Sequence, residues 1–384
     1  MNGWRSTTLG EVVSLQRGYD ITKAGQEAGP YFVISSSGPN STHCKSMVKG
    51  PGVVIGRKGT LGTVFYAPRD YWPHDTTLWG KDFHGNHERY TYYLLKTLRL
   101  EQYDSGASNP TLNRNHIHTL PVKCPPWDTQ RRIAAILSAY DDLIENNARR
   151  IQILEEMARM LYREWFGKFL CPAENDVPIP SGWRRAQVAD IAYDTRESVD
   201  PSQLDPGTPY VGLEHIPRRS LGLSEWGRAS DMNSTKLRFS KGDILFGKIR
   251  PYFHKVAVAP TDGVCSSDTI VIRPTSPEFY GLVVCCVSSD DFVQQSVQSS
   301  NGTKMPRANW GVMLKYPVVI PSKQQLEEFN ATIVAFVDGI TNLTYKNRNL
   351  RQTRDLLLPK LVSGEVDVSN LDIAVAVEQT EGIV

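Results

Sequence analysis

The feature that most constrains this chain is an internal repeat close to half its own length. Gly3-Trp4-Arg5 returns as Gly182-Trp183-Arg184, and Leu9, Glu11 and Val12 are then matched by Val188, Asp190 and Ile191. Val53-Val54-Ile55-Gly56-Arg57-Lys58 returns as Ile244-Leu245-Phe246-Gly247-Lys248, and each runs on to an Ala-Pro, at Ala67-Pro68 and Ala259-Pro260. Asp75-Thr76 is echoed by Asp268-Thr269. A last block, Gly106-Ala107-Ser108-Asn109-Pro110-Thr111-Leu112-Asn113, answers to Gly302-Thr303-Lys304-Met305-Pro306-Arg307-Ala308-Asn309. The offset grows from 179 through about 192 to 196, so the second copy carries roughly 17 extra residues in loops. Matched blocks in the same order, with an offset that only drifts, mean a duplication.

Each copy begins with short β-branched and aromatic runs among Gly and Pro, which reads as short strands joined by large loops. Each ends in one long helical pattern. The expected fold is mixed α/β: two globular domains in tandem pseudo-repeat, separated by two long helices forming an antiparallel coiled coil. The expected boundaries are 1–128 for the first domain, 129–169 for the central helix, 170–321 for the second domain, 322–366 for the C-terminal helix and 367–384 for a tail.

Asp128 is a candidate N-cap for the first helix, and Ser322 with Gln325 has capping-box spacing for the second. Gly167 and Gly364 are placed to end them. Steps of three and four pick out a seam in the first helix: Leu137, Tyr140, Ile144, Asn147, Ile151, Leu154, Ala158, Leu161 and Trp165. The second gives Ile333, Phe336, Ile340, Leu343, Asn347, Leu350, Arg354, Leu357 and Leu361. These are a and d positions sustained over four heptads, each with one asparagine able to fix register. The alternative is that each helix packs on its own domain; recurrence of the same long seam favours pairing. Pro359 disagrees, since it should kink or end the second helix early.

Composition mainly excludes. The net charge is +2; residues 1–128 hold 14 Lys/Arg against 10 Asp/Glu and residues 170–322 hold 16 against 16, so global charge is silent about nucleic acid. No apolar run approaches the ~18–20 residues of a membrane span, and the expected location is the cytoplasm. Cys44, Cys124, Cys171, Cys265, Cys285 and Cys286 form no C-x-x-C pair and read as reduced thiols. Neither a phosphate-binding glycine loop, a glycine fingerprint for an adenosyl cofactor nor a zinc helix is present, so no catalytic or metal residue is assigned. Asn109-Pro110-Thr111-Leu112 begins like an amino-methyltransferase motif, but lacks the second proline and the aromatic ring that would stack on a flipped base.

The domain openings at Gly182-Trp183, the 106–113 loop leading through Pro125-Pro126 to Gln130 and the 133–137 stretch, Asp142-Leu143-Ile144-Glu145-Asn146-Asn147, and Leu361-Val362-Ser363-Gly364-Glu365 together resemble the specificity subunits (HsdS) of type I restriction–modification systems. The likeness covers nearly the whole chain up to Asn370. It departs at Pro359, and at Leu326, where alignment with Gln130 asks for glutamine. The resemblance implies a non-catalytic reader of a split double-stranded DNA target, on which two methyltransferase (M) subunits and then restriction (R) subunits assemble. S-adenosylmethionine and ATP would belong to those partners, with no cofactor in this chain.

Residues able to touch DNA follow from chemistry. Arg57-Lys58-Gly59-Thr60 forms a basic glycine-rich turn after a buried strand, suited to phosphate, and Lys248, Arg250 and Tyr252 are its counterpart. Arg17 and Tyr19, with Asn109, Thr111, Asn113 and Arg114 in one loop and Lys304, Arg307 and Asn309 in the other, complete the set, since Arg reads guanine and Asn reads adenine. Three alternatives stay open: the DNA-reading part of a different kind of methyltransferase or restriction enzyme, a protein scaffold without DNA binding, and an enzyme that itself binds S-adenosylmethionine.

Overall fold

The computed structural model describes residues 3–104, 110–170, 177–231, 234–302, 304–369 and 371. It divides into two compact units, residues 1–142 with 351–384, and residues 143–350. The helix Trp127–Leu170 contributes to both, as does the helix Lys323–Ser363.

In the first unit, a four-stranded antiparallel sheet runs in the order Ser14–Arg17, Thr77–Asp82, Gly52–Gly56, Val64–Ala67. The second unit repeats it with Ala192–Thr195, Thr269–Pro274, Ile244–Gly247 and Val256–Val258, in the same order and sense. The central strands Gly52–Gly56 and Ile244–Gly247 are buried at every position, as continuous apolar runs require. Each unit also has a two-stranded ribbon, Arg5–Thr8 with Pro121–Cys124 and Arg184–Gln187 with Pro317–Ile320.

The second sheets differ. In the first unit Gly38–His43, Tyr31–Ser35 and Tyr71–Pro73 make three strands. In the second, Pro209–Val211, Gly227–Arg228 and Gly263–Cys265 are joined by Ser198–Val199 and Lys236–Phe239 to make five. Only an isolated antiparallel bridge, Val48 with Tyr71, stands in the first unit where Lys236–Phe239 pairs with Gly263–Cys265 in the second, among the described residues. A smaller difference follows the sheets: one helix, Glu88–Thr97, is replaced by two, Tyr280–Val287 and Asp290–Gln298.

The recurrent Gly-Trp opening packs against the start of the long helix that follows it. A Cβ on Gly3 would come 2.7 Å from Pro126, and one on Gly182 would come 3.6 Å from Ser322, the matching position. Trp183 donates from Nε1 to Gln325 Oε1 at 2.7 Å and stacks at 5.7 Å from Phe166 and 5.4 Å from Phe169.

Within the second unit, pairing of the long helices is antiparallel: Asn147 meets Asn347, Leu154 approaches Gly339, and Trp165 stacks on Phe329 at 5.5 Å. Asn147 Nδ2 donates to Asn347 Oδ1 at 2.9 Å, and Asn347 Nδ2 donates to Ile144 O at 3.0 Å. Within the first unit, Arg354 Nη1 donates to Asp141 Oδ1 at 2.7 Å, and Tyr93 Oη donates to Asp141 Oδ2 at 2.6 Å.

Leu137, Ile144, Asn147, Ile333, Ile340, Leu343 and Asn347 are buried, whereas Tyr140, Ile151, Leu154, Leu161, Phe336, Leu350 and Leu357 are half-buried. Pairing and packing on the domains turn out not to be alternatives. Ile133, Leu137, Leu358 and Leu361 belong to the core of the first unit, and Tyr162, Phe166, Phe329 and Ile333 to that of the second.

Three end signals read from the sequence are corrected. The first helix begins at Trp127, so Asp128 lies in its first turn. Gln130 N donates to Pro126 O at 3.0 Å, and the cap position tolerates a proline because no N–H is needed there. Gly167 does not end it; the helix continues to Leu170, held by the buried Phe166 and Phe169 on either side. The second helix runs through Pro359 to Ser363, where burial of Leu358, Leu361 and Val362 outweighs one lost backbone bond. Gly364, with φ +79°, does follow its end. Ser322 precedes the second helix, but its hydroxyl meets the Gln325 side chain at 2.7 Å rather than a backbone N–H.

Candidate nucleic-acid interface

Three segments distant in sequence meet at the end of each central strand. In the first unit Arg57 N donates to Thr76 O at 2.8 Å, Lys58 N donates to the same oxygen at 3.0 Å, and Leu112 N donates to Arg57 O at 2.9 Å. In the second, Lys248 N donates to Asp268 O at 2.9 Å, Ala308 N donates to Lys248 O at 2.8 Å, and Arg250 N donates to Pro306 O at 2.7 Å. The strand end, the Asp-Thr turn and the returning loop are thus the matched blocks of the repeat, brought together twice.

Glycine is required for the first of these turns. Gly59 and Gly62 have φ of +77° and +71°, and a Cβ on Gly62 would come 2.5 Å from Glu101 N. Lys58 and Thr60 are exposed beside them. In both units the turn aspartate holds a cation: Arg17 lies 3.1 Å from Asp75, and Arg307 and Lys248 lie 3.6 and 4.0 Å from Asp268. Such open pairs contribute little stability, so their effect is to aim the cations. Among the described residues, Arg57 Nη1 and Arg250 Nε are buried and have no hydrogen-bond partner. Both arginines stand at the same corner of their sheets, with donor capacity left for an acceptor.

The remaining expected contacts divide. Thr111 N donates to Asp104 Oδ1 at 2.8 Å, which folds its loop back toward Lys58. Asn113 caps the helix Arg114–His118, accepting from Asn115 N at 3.0 Å, and Arg114 is exposed. Tyr19 turns inward, 6.4 Å from the Trp72 ring and 6.2 Å from Trp79. Lys304 and Asn309 are exposed, and Tyr252 is 52% exposed. Asn109 lies outside the described residues.

In the second unit Lys248, Arg307 and Asn309 line an open cleft of about 650 Å³ together with Thr195, Arg196 and Asn301. Sequence reading missed Arg196 and Asn301, and it treated Asp75 and Asp268 only as landmarks of the repeat. The aspartates could have been found, since a recurring acid beside recurring cations is a pattern.

Cys171 lies outside the described residues. Cys124, Cys265, Cys285 and Cys286 are buried, and burial pushes the Cys265 and Cys286 thiols up to about 12. Among the described residues no group of His, Cys, Asp and Glu could hold a metal ion, and no helix is long and apolar enough to cross a membrane.

Comparison with known proteins gives one consistent answer. A family model described as the type I restriction modification DNA specificity domain matches residues 1–156. The chain is 26% identical over 303 residues to the type I restriction enzyme MjaIX specificity subunit of Methanocaldococcus jannaschii, covering 73% of this chain and 70% of the relative. It is 22% identical over 404 residues to the EcoDI specificity subunit of Escherichia coli, covering 94% and 88%. In fold it resembles the crystal structure of a type I restriction–modification S subunit from M. genitalium, with a TM-score of 0.64 at 17% identity over 94% of this chain and 96% of that one. The chain is thus similar to type I restriction–modification specificity subunits, and its residues 1–156 match the model of their DNA specificity domain.

Proposed function

We propose that this chain is the non-catalytic DNA-reading subunit of a type I restriction–modification complex, with recognition domains at 1–128 and 170–321 that each read one half of a bipartite target. The observation that carries this reading is the junction built twice. Each gathers the same three segments and aims cations over a turn aspartate, and in each a buried guanidinium nitrogen has no partner among the described residues. The neighbouring exposed Lys, Arg and Asn side chains carry donors that match phosphate oxygens and base edges.

The helices supply the spacing. The seam from 137 to 165 corresponds to roughly 42 Å of helix, close to the ~34–36 Å of one DNA turn. Two M subunits and then R subunits assemble on the helices and domain flanks in the cytoplasm, bringing S-adenosylmethionine and ATP with them.

The test is to express the chain with the methyltransferase of its own system in a methylation-free host and to map modified bases. A split motif with a fixed gap, changed on one side only when residues 1–128 are exchanged, is the expected result. Methylation at one continuous site, or a pattern indifferent to the exchange, would refute separate reading by the two domains.

A further inference from the structure

The tip of the second domain carries something the first lacks. After Lys248 the chain makes a tight turn, Pro251–Phe253, bounded by Arg250 and His254, both in the left-handed region with φ of +49° and +50°. That conformation is costly for residues other than glycine and persists only where the surroundings enforce it. Here they do. Phe253 N donates to Arg250 O at 2.9 Å, Arg219 N donates to His254 O at 2.9 Å, and His254 Nε2 donates to Ser288 O at 2.9 Å. The Arg218 guanidinium lies 4.1 Å over the Phe253 ring, which in turn packs edge-on against Tyr252 at 4.8 Å.

All this bracing holds a ring that is itself 52% exposed. Met305, 51% exposed, stands on the neighbouring loop, which is tied to this turn through Arg250 N and Pro306 O. Lys248 and Arg307 stand on the same two segments, each paired with Asp268. In the first unit the matching turn offers Gly59 and Thr60 at its tip.

We propose that Tyr252, supported by Met305, is an apolar finger with which the second domain packs on bases of its half-site, so that the two halves of the target are read by different chemistry. The inference rests on the reading of the chain as a DNA-binding subunit. A rigid aromatic beside cations suits a surface that is anionic at its edges and apolar at its centre, which describes a DNA groove with its thymine methyls and base faces. An unbraced surface tyrosine would lose more freedom on contact.

The experiment measures binding of the assembled methyltransferase complex to duplexes carrying the mapped target, with either half scrambled, for wild type, Tyr252→Ala and Tyr252→Phe. Discrimination at the second half-site is expected to fall roughly ten- to hundredfold in Tyr252→Ala, to persist in Tyr252→Phe, and to stay unchanged at the first half-site in both. An unchanged melting temperature shows that the fold is retained. Uracil in place of thymine weakens wild type alone if the contact is with a methyl group. A 2-aminopurine fluorescence rise, seen with wild type alone, marks a ring inserted between bases. Unaltered discrimination in Tyr252→Ala, or equal loss at both half-sites, overturns this inference while leaving the DNA-reading function intact. A wild-type complex that ignores both half-sites overturns the two together.

Discussion

The two units share a four-stranded sheet strand for strand, yet present different chemistry at the same corner of it. In the first, the corner is glycine-rich and polar, with Lys58 and Thr60 outermost. In the second, it is a braced aromatic turn above a cleft lined by Lys248 and Arg307. The shared part is continuous with the long helices, whose buried residues enter both cores. The divergent part hangs on loops. Packing therefore fixes the frame, and the frame leaves side chains at its corner free to differ.

The strongest way to break this comparison is through the cores. Phe166 is fully buried against Tyr162, Phe329 and Trp183, and Phe166→Ala is expected to cost about 3–5 kcal/mol. Hydrogen exchange should then accelerate across 143–350 more than across 1–142. Equal acceleration in both would show that the units do not have separate cores.

Glu155 sharpens it further. This buried carboxylate on the first helix accepts from Ser220 Oγ and Leu221 N, both at 2.7 Å, and so ties a loop of the second domain to the helix. Removing the acceptor in Glu155→Ala strands a buried N–H and is expected to cost about 1–3 kcal/mol, read by denaturant titration. Burial is the largest influence on its pKa and raises it above the usual 4.5. Its stabilising effect is then complete below 4.5 and is lost as pH rises through the folded-state value. Glu155→Gln keeps an acceptor and should flatten that slope; an unchanged pH profile would show that Glu155 is not its source.

A gentler intervention concerns register. Asn147 and Asn347 sit opposite each other in the seam, an arrangement that fixes alignment at some cost in stability. Replacing both by Leu is expected to raise stability by about 1 kcal/mol while broadening spin-label distances between the two helices. A single narrow distance would locate the register determinant elsewhere.

The smallest expected effect separates phosphate contacts from base contacts. Lys58→Ala and Lys248→Ala should each lower the salt dependence of DNA binding by about one unit of slope, leaving the recognised sequence unchanged. A changed methylation motif would instead make that lysine a reader of bases.

Much of this architecture was legible in the sequence because a duplication announces itself twice. The matched blocks became the matched strand ends. What misled was local. Asp128 and Gly167 look like helix ends by residue type, but Pro126 sets the start and the flanking Phe166 and Phe169 carry the helix past the glycine. Pro359 looks like a break, and burial around it prevails. The departure at Leu326 also has a local resolution.

In the first unit the buried Gln130 accepts from His87 N at 2.9 Å, at the cap of the helix Glu88–Thr97. In the second, Asn330, one turn beyond Leu326, accepts from Gly281 N at 2.7 Å in the first turn of Tyr280–Val287. The task moved along the helix, and identity at a fixed offset could not reveal it. Tyr252 stands out in the sequence as a candidate contact, but the bracing of its turn is hidden there, since nothing in the sequence marks Arg250 and His254 as left-handed.

The bonds that gather strand end, turn and loop at each corner run from main chain to main chain: Arg57 to Thr76, Leu112 to Arg57, Lys248 to Asp268, Ala308 to Lys248. Side chains add to these bonds, as where Lys248 Nζ donates to Ser267 O at 2.6 Å, but none of the four depends on one. A mutation that rewrites what the corner displays therefore leaves the corner standing. Side chains at one unit's corner can thus change one at a time, while its main-chain junction and that of the other unit stay as they are.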